Sequence, residues 1–338
     1  MRPWILIVFA MAPGGCLSGD DGFNGGGDAD ADTDGDTDGD TDADTDSCAD
    51  IPNGPFELQE VQGLASEDLA FDGDGNLVGS DDNAIYKSAY GDGPSIFVPD
   101  IQFRAGMRYS SDGDLVICNN SGGYEGGADE LTRIDPEGVR HTIISGLSYP
   151  NGITADRNGF VYFTEQSANA VRRVDPLSGD FSYMVDPGGI AAPNGISFAA
   201  DYQTLYVSGF SGEGIIYQMS IDTETGDHGD LEVFATGVGS GTLDGIAVDA
   251  CGNVYVCDYA TSEDGSTLIY RVSSDGERVR LVIDPSDMGG YGFVYLPNMD
   301  WGSGIGGWDA NKLYIPEGST HRVFEVDIGV PSKPRAFP

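Results

Sequence analysis

The chain has 338 residues, with 16 Lys and Arg against 56 Asp and Glu, a formal net charge of −40. That balance excludes ordinary nucleic-acid binding, which needs a basic face to neutralise phosphates, and charge-driven adhesion to anionic lipid. Gly at 51 residues and aromatics at 10% fit a turn-rich β protein better than a helical one. Thirteen of the acids lie between Asp20 and Asp50, yet the chain from Ile51 onward still carries 43 acids against 15 bases.

In chain order, residues 1–16 read as an export signal. Arg2 supplies the positive start, Trp4 to Ala12 an apolar stretch too short to span a bilayer, and Pro13-Gly14-Gly15 a small-residue approach to Cys16. This start resembles a bacterial lipoprotein signal, which implies lipidation at Cys16 and a place in the cell envelope, as an outer-membrane or surface lipoprotein. Contact with the membrane is expected only through that lipid. Residues 17–50 form an Asp/Gly/Thr-rich linker, with Asp alternating with Ala, Thr or Gly from Asp28 to Asp46. With nothing apolar to bury and strong self-repulsion, it is expected to be a disordered, extended tether. D-x-D-x-D-G occurs there twice, from Asp30 and from Asp34, but the twelfth positions are Thr41 and Thr45 where an EF-hand loop needs Glu. The tether reading is therefore preferred to a dedicated calcium loop.

From residue 51 to 338 one phrase recurs: a polar residue, a short apolar strand, an Asp/Asn/Gly turn, then a β-branched or aromatic strand. Its copies start at Glu67, Ala105, Asn151, Asn194, Asp244 and, in degenerate form, Asn298. A third strand follows in each, as in Val171-Arg172-Arg173-Val174. Spacings of 38, 46, 43, 50 and 54 residues match four-stranded blades. The expected fold is an all-β, six-bladed propeller of four-stranded antiparallel blades, with Pro55 to Val61 supplying an outer strand to the last blade.

The innermost strand of each blade lines the channel, so the residues that start these strands form one rim. Five of those six offer a carboxylate or amide oxygen. Oxygen-only donors suit Ca²⁺, with Mg²⁺ or Mn²⁺ as alternatives. Asn-Gly and Asp-Gly also favour turns, but here they precede strands instead of joining hairpins. The cysteines show no zinc spacing and read as structural; the pairing of Cys48, Cys118, Cys251 and Cys257 stays open.

Ser66-Glu67-Asp68-Leu69, Pro193-Asn194-Gly195-Ile196 and Leu243-Asp244-Gly245-Ile246-Ala247-Val248-Asp249 resemble the senescence marker protein/gluconolactonase group of six-bladed propellers, with strictosidine synthase-like and paraoxonase relatives. The likeness runs from about Leu58 to Val330. It implies one divalent metal, calcium or zinc, held by Glu67, Asn194 and Asp244 with Asn151 beside it. It also implies hydrolysis of a small lactone or ester by a monomer, the metal polarising the carbonyl and Asp244 helping to activate water. Asn151, Tyr149, Arg104 and Asp68 are the candidate substrate contacts. Tyr149 stands where lactonases of the group often carry Arg. None of His141, His228 and His321 lies in the rim column, and no Gly-x-Ser-x-Gly elbow is present. A non-catalytic, metal-stabilised binding propeller is the second reading. A lyase of the virginiamycin-lyase type, suggested by Tyr162-Phe163-Thr164-Glu165, ranks third, because that family carries Gly-Gly before its inner strands.

Overall fold

The computed structural model describes residues 48, 50–81, 83–101, 105–120, 129–259, 265–287 and 293–337. The signal with Cys16, the Asp-rich linker up to residue 47, and Arg104 lie outside the described residues. Six antiparallel sheets of four strands follow one another along the chain, as the repeats predict. Blade one comprises Leu69–Phe71, Asn76–Ser80, Ile85–Ala89 and Ser95–Val98, and blade two Met107–Tyr109, Leu115–Asn119, Asp129–Ile134 and Arg140–Leu147. Blade three is Pro150–Ala155, Val161–Glu165, Ala170–Val174 and Phe181–Val185, and blade four Pro193–Phe198, Thr204–Gly209, Ile216–Ser220 and Glu232–Ala235. Blade five is Leu243–Val248, Val254–Asp258, Leu268–Val272 and Val279–Ile283.

Blade six is assembled from both ends of the folded chain. Asp300–Trp301, Lys312–Glu317 and Arg322–Asp327 are completed by Gln59–Val61, whose residues pair with Glu325, Phe324 and Val323. This is the closure expected of the Pro55 to Val61 segment. It leaves no open seam between first and last blade.

Apolar residues on both faces of each blade have a direct cause. The core is six separate clusters, one between each pair of neighbouring blades. Alternation along a strand sends successive side chains to opposite neighbours. Val161 and Phe163 pack against blade two, while Tyr162 between them packs against blade four. The closing interface holds the fully buried Trp308, tilted against Phe71 at 5.4 Å and donating its indole N–H to the Gly75 carbonyl at 3.1 Å.

The turns after the inner strands share one device. Asp72, Asp156 and Asp249 each accept the backbone N–H four residues on, at 2.8, 3.0 and 2.8 Å, which fixes the hairpin to the second strand. In blades three and five the same carboxylate accepts the phenol of Tyr162 or Tyr255, both at 3.1 Å. These buried hydroxyls are thereby satisfied, and the Asp-rich turns of the sequence act as strand clasps. A disulfide joins Cys48 to the blade-five turn at Cys251. Cys118 and Cys257 are free and buried.

Candidate metal centre

The rim residues meet because the inner strands approach one another at that end of the channel. A Cβ on Gly152 would lie 2.2 Å from the carbonyl oxygen of Asn194, and one on Gly195 would lie 2.6 Å from that of Asp244. Real Cβ atoms do not come so close, so the glycine after each rim residue serves close approach between blades, and hairpin formation has no part in it. The residue before the glycine is carried to the axis as a result.

Second-strand side chains lock this spacing. Thr164 accepts the Gly152 N–H at 2.9 Å and donates to the Asn194 carbonyl at 2.7 Å, joining blade three to blade four. Ser208 joins blade four to blade five in the same place, donating to the Asp244 carbonyl at 2.5 Å. Cys118 and Cys257 occupy the equivalent places in blades two and five, opposite Gly106 and Gly245. Burial pushes both thiols well up, so they stay protonated, small and inert.

Tyr149 and Ala192, two residues before Asn151 and Asn194, both have positive φ, at 55° and 43°. Each precedes a proline, which disfavours the helical region. Their carbonyls are caught by the amides of Gln166 and Phe210, at 3.0 and 2.8 Å. Such strain persists only where the surroundings enforce it, and here it sets the entry of Pro-Asn-Gly into the channel.

At the rim itself Glu67, Asn194 and Asp244 converge with Tyr295. The Tyr295 hydroxyl lies 3.0 and 3.2 Å from the two oxygens of Glu67 and 3.2 Å from Oδ2 of Asp244. Burial pushes Asp244 well above the ordinary carboxylate range, while hydrogen bonds from Tyr295 and Asn194 pull the other way. Burial and the two carboxylates hold the Tyr295 phenol neutral. The phenol has one hydrogen, and three carboxylate oxygens stand within its reach. A divalent cation fits this oxygen set, whose two negative charges it would balance. Among the described residues no three side chains of His, Cys, Asp or Glu form a metal cluster, so a cation here would rest on two carboxylates and neutral amides.

The other candidates fall around this group. Asn151 is buried on the blade-three inner strand, its side-chain amide 3.5 Å from Gln166 Oε1. Asp68 points into the blade-one to blade-two joint, where it accepts the amides of Leu69 and Met107, both at 2.8 Å. Burial raises Asp68 to about 6, against the nearby Arg108. The Tyr149 amide donates to Asp129 at 3.0 Å. Tyr295 carries no repeat signal, because it lies in the long segment between blades five and six. Its ring packs edge-on to Tyr259 at 5.2 Å, forming an aromatic wall by the carboxylates.

Residues 162–288 match the family model described as the SMP-30/Gluconolactonase/LRE-like region. Over that stretch, less than half of its length, the chain is similar to SMP-30/gluconolactonase-like propellers. Among solved structures, a gluconolactonase from Xanthomonas campestris shares 20% identity over 83% of this chain and 98% of its own, with a TM-score of 0.60. Regucalcin, a calcium-binding protein from Agrobacterium tumefaciens, shares 18% identity over 84% and 98%, again at 0.60. A virginiamycin B lyase from Staphylococcus aureus shares 19% over 83% and 90%, at 0.53. At these identities the likeness is one of fold. No curated protein matches the chain in sequence.

Proposed function

We propose that this SMP-30/gluconolactonase-like propeller is a divalent-metal-dependent hydrolase of lactones or small esters. It is exported and held at the cell envelope through lipid on Cys16. The observation that carries the reading is the convergence of Glu67, Asp244 and Asn194 on one point of the channel mouth, with a single phenol hydrogen shared among three carboxylate oxygens. Glu67, Asn194 and Asp244 would hold the cation, calcium being the best fit, with Asn151 alongside. When bound, it supplies positive charge where a carbonyl oxygen becomes negative and makes nearby water more acidic.

The chain's own groups then divide the work. Asp244 offers a buried carboxylate at the cation site, from which it would take a proton from attacking water. Tyr295 stays protonated and orients both carboxylates. Tyr259 and Tyr295 exclude water from one side and offer an apolar wall to a ring-shaped substrate. Asn151, buried on the inner strand of blade three at its rim position, would hydrogen-bond substrate oxygen.

The test uses the purified full chain. Calcium at about a hundred times its dissociation constant should stabilise the protein by about 2.7 kcal/mol, and a chelator should reverse this. Glu67→Gln or Asp244→Asn should abolish the shift while the far-ultraviolet β spectrum persists. A panel of lactones and aryl esters, with and without calcium, then reads activity, and Asp244→Asn should lose turnover. Calcium binding without turnover on any substrate would favour a binding propeller; no effect of chelator on melting would remove the metal altogether.

A further inference from the structure

The opposite end of the channel carries the opposite charge. Inner strands run from the rim to this end, roughly 10 Å away over three residues. Every blade contributes to its lining, with Ala70, Arg108, Thr154, Ser197, Ala247 and Asp300 at equivalent places on the six inner strands. Four are small and neutral, so the ring is open enough to hold a cavity of about 90 Å³. The C-terminal segment lies across it, tied down by the Tyr202 hydroxyl on the Pro334 carbonyl at 3.0 Å and by the bridge between Asp249 and Ser332. That segment adds Lys333 and Arg335 to the lining.

Three cations thus face one carboxylate in a chain whose net charge is −40. Asp300 answers two of them, Arg108 at 2.9 Å and Arg335 at 3.4 Å, and Asp68 stands 3.8 Å from Arg108 on its other side. Lys333 reaches only neutral oxygens among the described residues, Ser197 Oγ at 3.1 Å and the Phe198 carbonyl. Burial pushes its ammonium down to about 7 against the pull of Asp300, and Arg108, Arg335 and Arg157 push it the same way. Nε of Arg335 is buried with no acceptor at all. A buried donor without a partner and a half-buried ammonium among guanidinium groups are both costly, and one ligand relieves both.

The geometry points to a binding site for a small tetrahedral dianion of the sulfate or phosphate type, held by Arg108, Lys333 and Arg335 beneath the C-terminal segment. Its negative charge answers the positive charge that Asp300 and Asp68 leave unbalanced, and its oxygens accept from the orphaned Arg335 N–H and from the lysine. The site is separate from the channel mouth and does not depend on a metal there.

Calorimetric titration of the full chain with sodium sulfate, at constant ionic strength set with chloride, tests it. Saturable binding of one sulfate per chain is expected. Arg335→Gln and Lys333→Met should each weaken it about tenfold, the loss expected for one charge-assisted hydrogen bond. Lys333→Arg, which keeps the charge, should retain most of the affinity even if Arg335→Gln folds poorly. Glu67→Gln should bind sulfate as the parent does, whatever happens to calcium. Absence of saturable heat, or equal affinity in the parent and Lys333→Met, overturns the assignment.

Discussion

Tyr295 shows how one side chain can stand in for a charge. Its hydroxyl is the common neighbour of Glu67 and Asp244, and it is the rim group that the repeats did not reveal. The rim column was legible because each member keeps its place in a repeated phrase; Tyr295 belongs to no phrase. Its segment between blades five and six has a length and course unlike the others, so no periodicity predicts where the phenol points. Tyr295→Phe should lower stability in chelator by about 1–3 kcal/mol, because two buried carboxylates lose a donor. In saturating calcium the loss should be smaller, and the calcium-induced rise in melting temperature correspondingly larger than in the parent. Equal losses under both conditions would separate the phenol from the cation site.

Among strands, the sequence was most informative where geometry leaves least freedom. Gly152 and Gly195 could be read as turn residues, and the strand-preceding context argued otherwise; the interblade contacts give the reason. What strand patterns did not disclose was the second column further down the channel. There Arg108 and Asp300 pair across blades two, one and six, from inner strands of only three and two residues. Strands that short give no alternation to read. Gly152→Ala should cost about 1–3 kcal/mol through overpacking against Asn194 and should weaken calcium binding as the rim is pushed apart. Gly73→Ala, where no atom stands within 4 Å of the added carbon, is the matched control and should change stability by less than about 0.5 kcal/mol. Denaturant unfolding of the two variants compares them directly.

Across the whole molecule, closure was foreseeable and its reinforcement was not. An apolar segment ahead of the first repeat is what a ring needs to complete its last blade, and Gln59–Val61 fills that place. Cys48 gave no such cue, since its partner lies 203 residues away in a different blade from the one its segment completes. Cysteine spacing cannot encode a contact created by circular arrangement. Replacing Cys48 and Cys251 together by Ser should lower stability by about 2–5 kcal/mol, read as a fall in melting midpoint and a shorter half-life on heating. Reductant should reproduce the effect in the parent chain and leave the double variant unchanged.

That cross-link also settles how a pull on the chain would be borne. Force arriving from upstream of Cys48 meets a covalent bond into blade five before it reaches the three residue pairs that hold Gln59–Val61 to its neighbour. The hydrogen-bonded latch is therefore shielded from peeling, and tension is spread into a blade whose strands are held on both sides. Cys251 sits in the turn at the end of its inner strand remote from Asp244. A pull arriving there loads the end of the blade-five inner strand remote from Asp244.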